Sequence, residues 1–352
     1  MGIIEKVPDT NDTNWEEIYA TAKKQALTGV MYCGIEKLTQ ELRPPKKILL
    51  NWYMVAEKMK KRNLHRNELA VRLVKQYRAD GFQVCILKGQ GNALMYPDPL
   101  RRNSGDIDIW MKPAGEEGVC MKSIRKAVNK YVTGHYKNPK IRFYHVEYVV
   151  DKIPVEAHYM PSIMNNPLYN ARLQRYYRTH QDEQCDHWKE LPNGVGQIPV
   201  PTYVFNVIFQ LCHIMHHYFD EGIGLRQMMD YFFLLKTQND GRCKKEDIKQ
   251  TLNYLGLWKF AGAVMYVMQS VFLLDEEYMI APVDERRGVS LLKEIDKGGN
   301  FGKFSGLTKH GAGTKYILKN WRNLHFVREY PAEALSEPLF RTWHFFWRIF
   351  NK

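Results

Sequence analysis

Asp106 and Asp108, in the run Gly-Asp-Ile-Asp-Ile, are the side chains of this chain best placed by type and spacing to do chemistry. In a β-strand residues i and i+2 face the same side, so the two carboxylates would stand together while Ile107 and Ile109 enter the core. Carboxylates that close repel one another unless a cation lies between them. Oxygen ligands of this kind suit Mg²⁺ or Mn²⁺, ions that usually also bind substrate phosphates. A lone Asp-x-Asp is more often a solvated pair, so the neighbours decide. Upstream, Lys88-Gly89-Gln90-Gly91 follows an apolar run, where a tight turn can present backbone N–H groups to a phosphate. Lys88, Arg101 and Arg102 offer cations for phosphate oxygens. Downstream, Ile-Pro-Val-Glu-Ala-His carries Glu156 and, on the same strand face, His158. If that strand lies beside the aspartate strand, Glu156 becomes a third carboxylate at the metal.

The elements that would hold these groups follow from the hydrophobic pattern. Phe82–Leu87 is a short apolar run before a glycine and suits a buried strand. Residues 106–111 alternate acid and apolar, the period of a strand. Residues 141–159 contain two β-rich runs around Asp151-Lys152, which predicts a hairpin. A helix at about 114–130 should link the aspartate strand to it. Before this core, Thr13 and Glu16 form a capping-box pattern for a helix with Trp15, Ile18, Tyr19, Ala22 and Ala26 on one face. A second helix should run from Pro44-Pro45 to about Asp80 and stop at Gly81. From Pro201 onward the pattern is helical, with a glycine-rich loop at 296–317 and an aromatic terminal helix. The expected fold is α+β: a small mixed sheet at 81–165 between helical regions at 1–80 and 166–352.

The chain has 352 residues, and at 45% hydrophobic content it can build a substantial core. Its apolar runs are short and broken by charge, so no transmembrane segment is expected. The six cysteines, Cys33, Cys85, Cys120, Cys185, Cys212 and Cys243, form no Cys-x-x-Cys pair, and no secretory signal pattern is visible. A reducing, cytoplasmic setting is the expectation. Lys plus Arg number 51 against 38 Asp plus Glu, a net +13 that attracts polyanions without choosing among them. The basic side of the second helix, with Lys58, Lys61, Arg62 and Arg72, is the natural surface for RNA. No RNA-binding module or base-stacking signature accompanies it, so a nucleic-acid partner is not favoured.

The order strand, Gly turn, Asp-x-Asp strand, carboxylate strand resembles the polymerase-beta type of nucleotidyltransferase. In detail, Leu-Lys-Gly, Tyr-Pro-Asp-Pro-Leu-Arg-Arg-Asn-Ser-Gly-Asp-Ile-Asp-Ile, Val-Glu-Ala-His-Tyr and the His-containing run leading to Arg226 and Asp230 are similar to the bacterial uncharacterised nucleotidyltransferase-like family. The resemblance spans roughly residues 14–305. It implies that Asp106, Asp108 and Glu156 are catalytic and hold Mg²⁺ or Mn²⁺. It also implies that Lys88, Gly89, Arg101, Arg102 and Arg226 bind an NTP such as ATP, and that NMP passes to an unidentified hydroxyl acceptor, a small molecule or a protein. This sequence departs from the usual pattern in having Gln90 after Gly89 and Glu rather than Asp as third acid. Two other readings compete: a nucleotide-binding scaffold that keeps the fold without catalysis, and a glycosyltransferase, in which Asp-x-Asp also holds a metal–sugar nucleotide.

Other features have plainer explanations. His213 and His217, four apart on one helix, could bind zinc, but no His-Glu-x-x-His motif is present and a structural or substrate-facing role is the expectation. Arg226 and Asp230 are either an intrahelical pair or, for Arg226, a nucleotide contact. Phe340, Trp343, Trp347 and Phe350 form a stripe that most simply packs on the protein's own body.

Overall fold

The computed structural model describes residues 13–115, 120–237, 245–300 and 312–350. The chain starts with α1 (Trp15–Lys24) and α2 (Thr28–Ile35). The cap of α1 is Asn14, one residue beyond the expected Thr13; its side chain accepts the Glu17 N–H. The single helix expected through Ala26 is broken there, because Ala26 takes a positive φ of 58° and the chain restarts as α2. The next helix, α3 (Lys46–Ala79), follows Pro45 and ends before Gly81, as expected. Its 34 residues make it about 50 Å long. The first half packs Trp52 and Ala56 against α1 and α2; the second half lays Leu69, Leu73, Val74 and Tyr77 on the sheet.

The sheet comprises β1 (Phe82–Ile86), β2 (Ile107–Pro113), β3 (Lys140–Ile141), β4 (His145–Val150) and β5 (Ile153–His158), in the order β1-β2-β5-β4-β3. It is mixed: β2 and β5 run parallel, and the other neighbours antiparallel. The expected hairpin is β4–β5, turning through Asp151 and Lys152 at φ 49° and 66°, as a two-residue turn matched to strand twist requires. Between β1 and β2 lies the short α4 (Gln90–Ala93). The linking helix, α5 (Met121–His135), begins later than expected.

Period-two alternation gives each sheet face its own core. Val84, Ile86, Ile107, Ile109, Met111, Val146, Val155 and Ala157 pack under α3 and α5. Cys85, Leu87 and Trp110, on the opposite face, join a helical body. That body is built from α6 (Pro167–Asp186), α7 (Tyr203–Asp220), α8 (Leu225–Lys236), α9 (Lys245–Tyr254), α10 (Trp258–Phe272), α11 (Glu285–Gly298), α12 (Ala312–Leu324) and α13 (Pro331–Phe350). A second hairpin, β6 (Trp188–Leu191) with β7 (Gly196–Pro199), was not anticipated and packs on α3 and β1. Of the stretch expected as a glycine-rich loop, 296–317, the residues up to Gly298 belong to α11 and those from Ala312 to α12, while 301–311 lie outside the described residues. No described helix is long and apolar enough to cross a membrane.

Of the terminal stripe, Phe340, Trp343 and Trp347 surround Phe143 with ring centroids 5.0–5.7 Å away. Phe350 does not join them and is 82% exposed.

Candidate active site

One sheet face carries the chemistry. Asp108 on β2 is the register partner of Glu156 on β5, and Glu156 in turn is that of Glu147 on β4. Two residues along, His158 is opposite His145. Asp106 lies one residue ahead of β2 and on the same side as Asp108. Carboxylate oxygens of Asp106, Asp108 and Glu156 fall within 4.8 Å of one another. A cavity of about 380 Å³ opens over this face, bounded opposite by α7 and α8.

The charges interlock. Lys88 Nζ is 2.8 Å from Asp108 Oδ1, and His158 Nε2 is 3.0 Å from the same oxygen and 3.1 Å from Glu156 Oε2. Burial alone would raise the Asp108 carboxyl; Lys88 and the His158 hydrogen bond outweigh it and hold the group below the usual carboxylate range. Burial likewise opposes ionisation of Glu156, and the hydrogen bond from His158 outweighs it, leaving a lowered pKa. Against its own desolvation His158 is pushed up to about 9 by these two carboxylates. Lys88, also desolvated, is raised by Asp108, Asp106 and Glu156. Asp106 is the carboxyl left under-compensated: repulsion from Asp108, then burial, raise it despite Lys88. Three converging carboxylates, one of them short of positive charge, fit a hard divalent cation on their donor chemistry.

Gly89, three residues past β1 and capping α4, has φ 54° and ψ −104°, a backbone open only to glycine. A Cβ there would lie 3.4 Å from the Asp106 carbonyl, so this turn brings the Gly89 backbone close to the start of the aspartate strand. Lys88, Gly89, Arg102 and Arg226 all line the cavity. Arg102 is nevertheless committed elsewhere: Nε and Nη2 donate to the two oxygens of Asp230 at 2.7 and 2.6 Å, and Nη1 donates to Ser104. Tyr96 completes this buried knot with a 2.6 Å bond to Asp230. Asp230 is therefore taken first by Arg102, with the Arg226 charge also helping to lower its pKa. Arg226 Nη1 donates to the Asn103 carbonyl.

Arg101 is not at the site. Its guanidinium pairs with Glu36 and Asp98 and lies over the Tyr32 ring, on the side of α2. Arg101 ends a short 3-10 turn, Pro99–Arg101, and Arg102 follows in extended backbone, so the chain changes direction between them and the two guanidinium groups go to different sides. His213 does line the cavity, and burial drives it well below the usual histidine range. His213 and His217 stack edge-on at 4.4 Å. Among the described residues neither belongs to a group of three or more metal-ligating side chains. Cys212 is buried in the helical core.

The sequence reading missed His145 and Glu147. Their signal was present: His-Val-Glu on β4 has the same two-residue spacing as Glu-Ala-His on β5. Arg142 holds Glu147 through two N–H groups at 2.7 and 3.1 Å.

A mixed five-stranded sheet with a Gly turn and three carboxylates on one face is the architecture expected of nucleotidyltransferases. The model of the uncharacterised nucleotidyltransferase family matches residues 11–273, and this chain belongs to that family. No curated protein and no solved structure matches it.

Proposed function

We propose that the protein transfers a nucleoside monophosphate from an NTP to the hydroxyl of a small molecule or protein side chain, releasing pyrophosphate. The observation that carries this reading is the convergence of Asp106, Asp108 and Glu156 within 4.8 Å at the floor of the cavity. These three would hold Mg²⁺ or Mn²⁺. When bound, the ion would supply charge for the phosphate oxygens and favour the ionised form of the acceptor hydroxyl. The chain's own groups do the rest. Glu156, kept ionised by His158, is a carboxylate able to take the acceptor proton. The acceptor oxygen then bonds to the α-phosphorus, the bond to the bridging oxygen breaks, and pyrophosphate leaves with that electron pair. Lys88 and Arg226 line the cavity and offer cationic donors to the phosphates. The cavity's 380 Å³ lies within the range of about 300–1,000 Å³ typical of small-ligand sites, as a nucleotide site requires.

One observation favours a second reading. Lys88 and His158 already satisfy Asp108, as a nucleotide-binding scaffold without catalysis would allow. Incubation with each labelled NTP, Mg²⁺ or Mn²⁺ and a cell extract separates the two. Metal-dependent pyrophosphate release with a labelled acceptor, lost in Asp106→Asn and Asp108→Asn, supports transfer. NTP binding without release, or release untouched by both changes, rejects it.

A further inference from the structure

Toward β4 the donors of this sheet face change from oxygen to nitrogen. His145 and His158 are cross-strand partners with ring centroids 5.0 Å apart. Glu156 Oε2 lies 3.1 Å from His158 Nε2 and 3.8 Å from His145 Nε2. Donors held about 2.1 Å from one tetrahedral ion are separated by about 3.4 Å, so the observed distances bracket that value. One ligand atom from each of the three residues falls within 4.8 Å of the others.

Three further features point to an ion. First, His158 Nδ1 faces the Met160 carbonyl at 3.3 Å. A backbone acceptor there keeps a proton on Nδ1, so that once a metal ion displaces the Nε2 proton the Nε2 lone pair is already aimed at the carboxylates, the usual support of a metal-binding imidazole. Second, His158 Nε2 has two carboxylate oxygens at 3.0 and 3.1 Å, so its one N–H is shared between them where a metal ion would satisfy both. Third, His145 is 5% exposed and its Nδ1 has no hydrogen-bond partner among the described residues. Its Nε2 is 3.3 Å from Glu147 Oε1, but Arg142 already satisfies Glu147, so His145 can turn to a metal without stranding that carboxylate.

We propose that His145, Glu156 and His158 form a second metal site for a borderline transition ion of the Zn²⁺ type, sharing Glu156 with the all-oxygen cluster. Two imidazoles and one carboxylate are a donor set that zinc accepts and Mg²⁺ disfavours. All three residues line the cavity, so a fourth position faces the space where an acceptor or water would sit. The site does not depend on nucleotidyl transfer, since it should fill without any NTP.

The test uses the full chain, stripped of metal and titrated with Co²⁺ alone. One equivalent should give the intense visible absorption of a four-coordinate ion, displaced by Zn²⁺ and not by excess Mg²⁺. His145→Gln should weaken Co²⁺ binding by at least about tenfold, with Asp106→Asn retaining the band. Pulsed EPR of the unaltered protein with one equivalent of Cu²⁺ should show coupling to two imidazole nitrogens, a readout that needs no variant to fold. A weak six-coordinate spectrum, loss of the band in Asp106→Asn but not in His145→Gln, or absence of imidazole coupling overturns the site. A lack of NTP turnover with the Co²⁺ band intact rejects the proposed transfer and leaves this site standing.

Discussion

Replacing Arg102 by methionine should destabilise the protein by about 3 kcal/mol, whatever it does to nucleotide binding. Arg102 is 3% exposed and spends two N–H groups on Asp230 and a third on Ser104. The methionine keeps much of the packing but leaves the Asp230 carboxylate in the interior without its main partner. Breaking a buried, hydrogen-bonded ion pair from one side typically costs about 3–5 kcal/mol. Here Tyr96 still donates to Asp230 and the Arg226 charge remains nearby, which places the loss at the lower end. Against a total stability of about 5–15 kcal/mol, that is a clear fall in the urea midpoint with little change in slope. The double variant Arg102→Met, Asp230→Leu removes both charges and should recover most of the loss. Urea unfolding followed by circular dichroism measures the unaltered chain, the two single variants Arg102→Met and Asp230→Leu, and the double. A single-variant cost below about 1 kcal/mol, or a double variant as unstable as the sum of the two singles, would refute the argument. Weaker NTP binding at unchanged stability would instead return Arg102 to the nucleotide.

Three further outcomes are expected. Burial pushes Glu333 up to about 7 from 4.5, although the Asn165 and Asn166 N–H groups it accepts oppose the shift. The folded state therefore holds this proton more tightly: the contribution is full below pH 4.5 and lost as pH rises through 7, a span worth about 3 kcal/mol. Glu333→Gln should flatten the fall in melting temperature between pH 5 and 8, and an unchanged profile would sink the assignment. Phe143→Ala removes the ring that Phe340, Trp343 and Trp347 surround; because Phe143 is half-buried, a loss of about 2 kcal/mol is expected. Limited proteolysis should then cut ahead of α13 sooner than in the unaltered chain, and equal cleavage rates would contradict this docking. RNA binding should be weak and steeply salt-dependent, through exposed Lys58, Lys61 and Arg62; Arg72 is already paired with Asp151. Saturable binding at physiological salt, lost on neutralising that face, would favour an RNA acceptor.

Local pattern alone determined much of this protein. Two-residue alternation marked the strands and put Asp106 with Asp108 and Glu156 with His158, because strand geometry fixes which side chains share a face. Asp151-Lys152 marked the hairpin, and Gly81 the end of α3, because both turn on backbone conformations set within a few residues. What stayed hidden depends on contacts distant in sequence. Only the parallel pairing of β2 with β5, separated by α5 and two strands, sets Glu156 beside Asp108. Only the β4–β5 register brings His145 and Glu147 onto the same face. The fates of Arg101 and Arg102 were equally illegible: identical in type and adjacent in sequence, they are parted where a 3-10 turn gives way to extended backbone, and Glu36 and Asp230, which claim one each, lie far off in sequence. Side-chain type and spacing fix what a group can do; the tertiary fold chooses its partner, because a buried charge goes to whichever opposite charge the packing brings within reach.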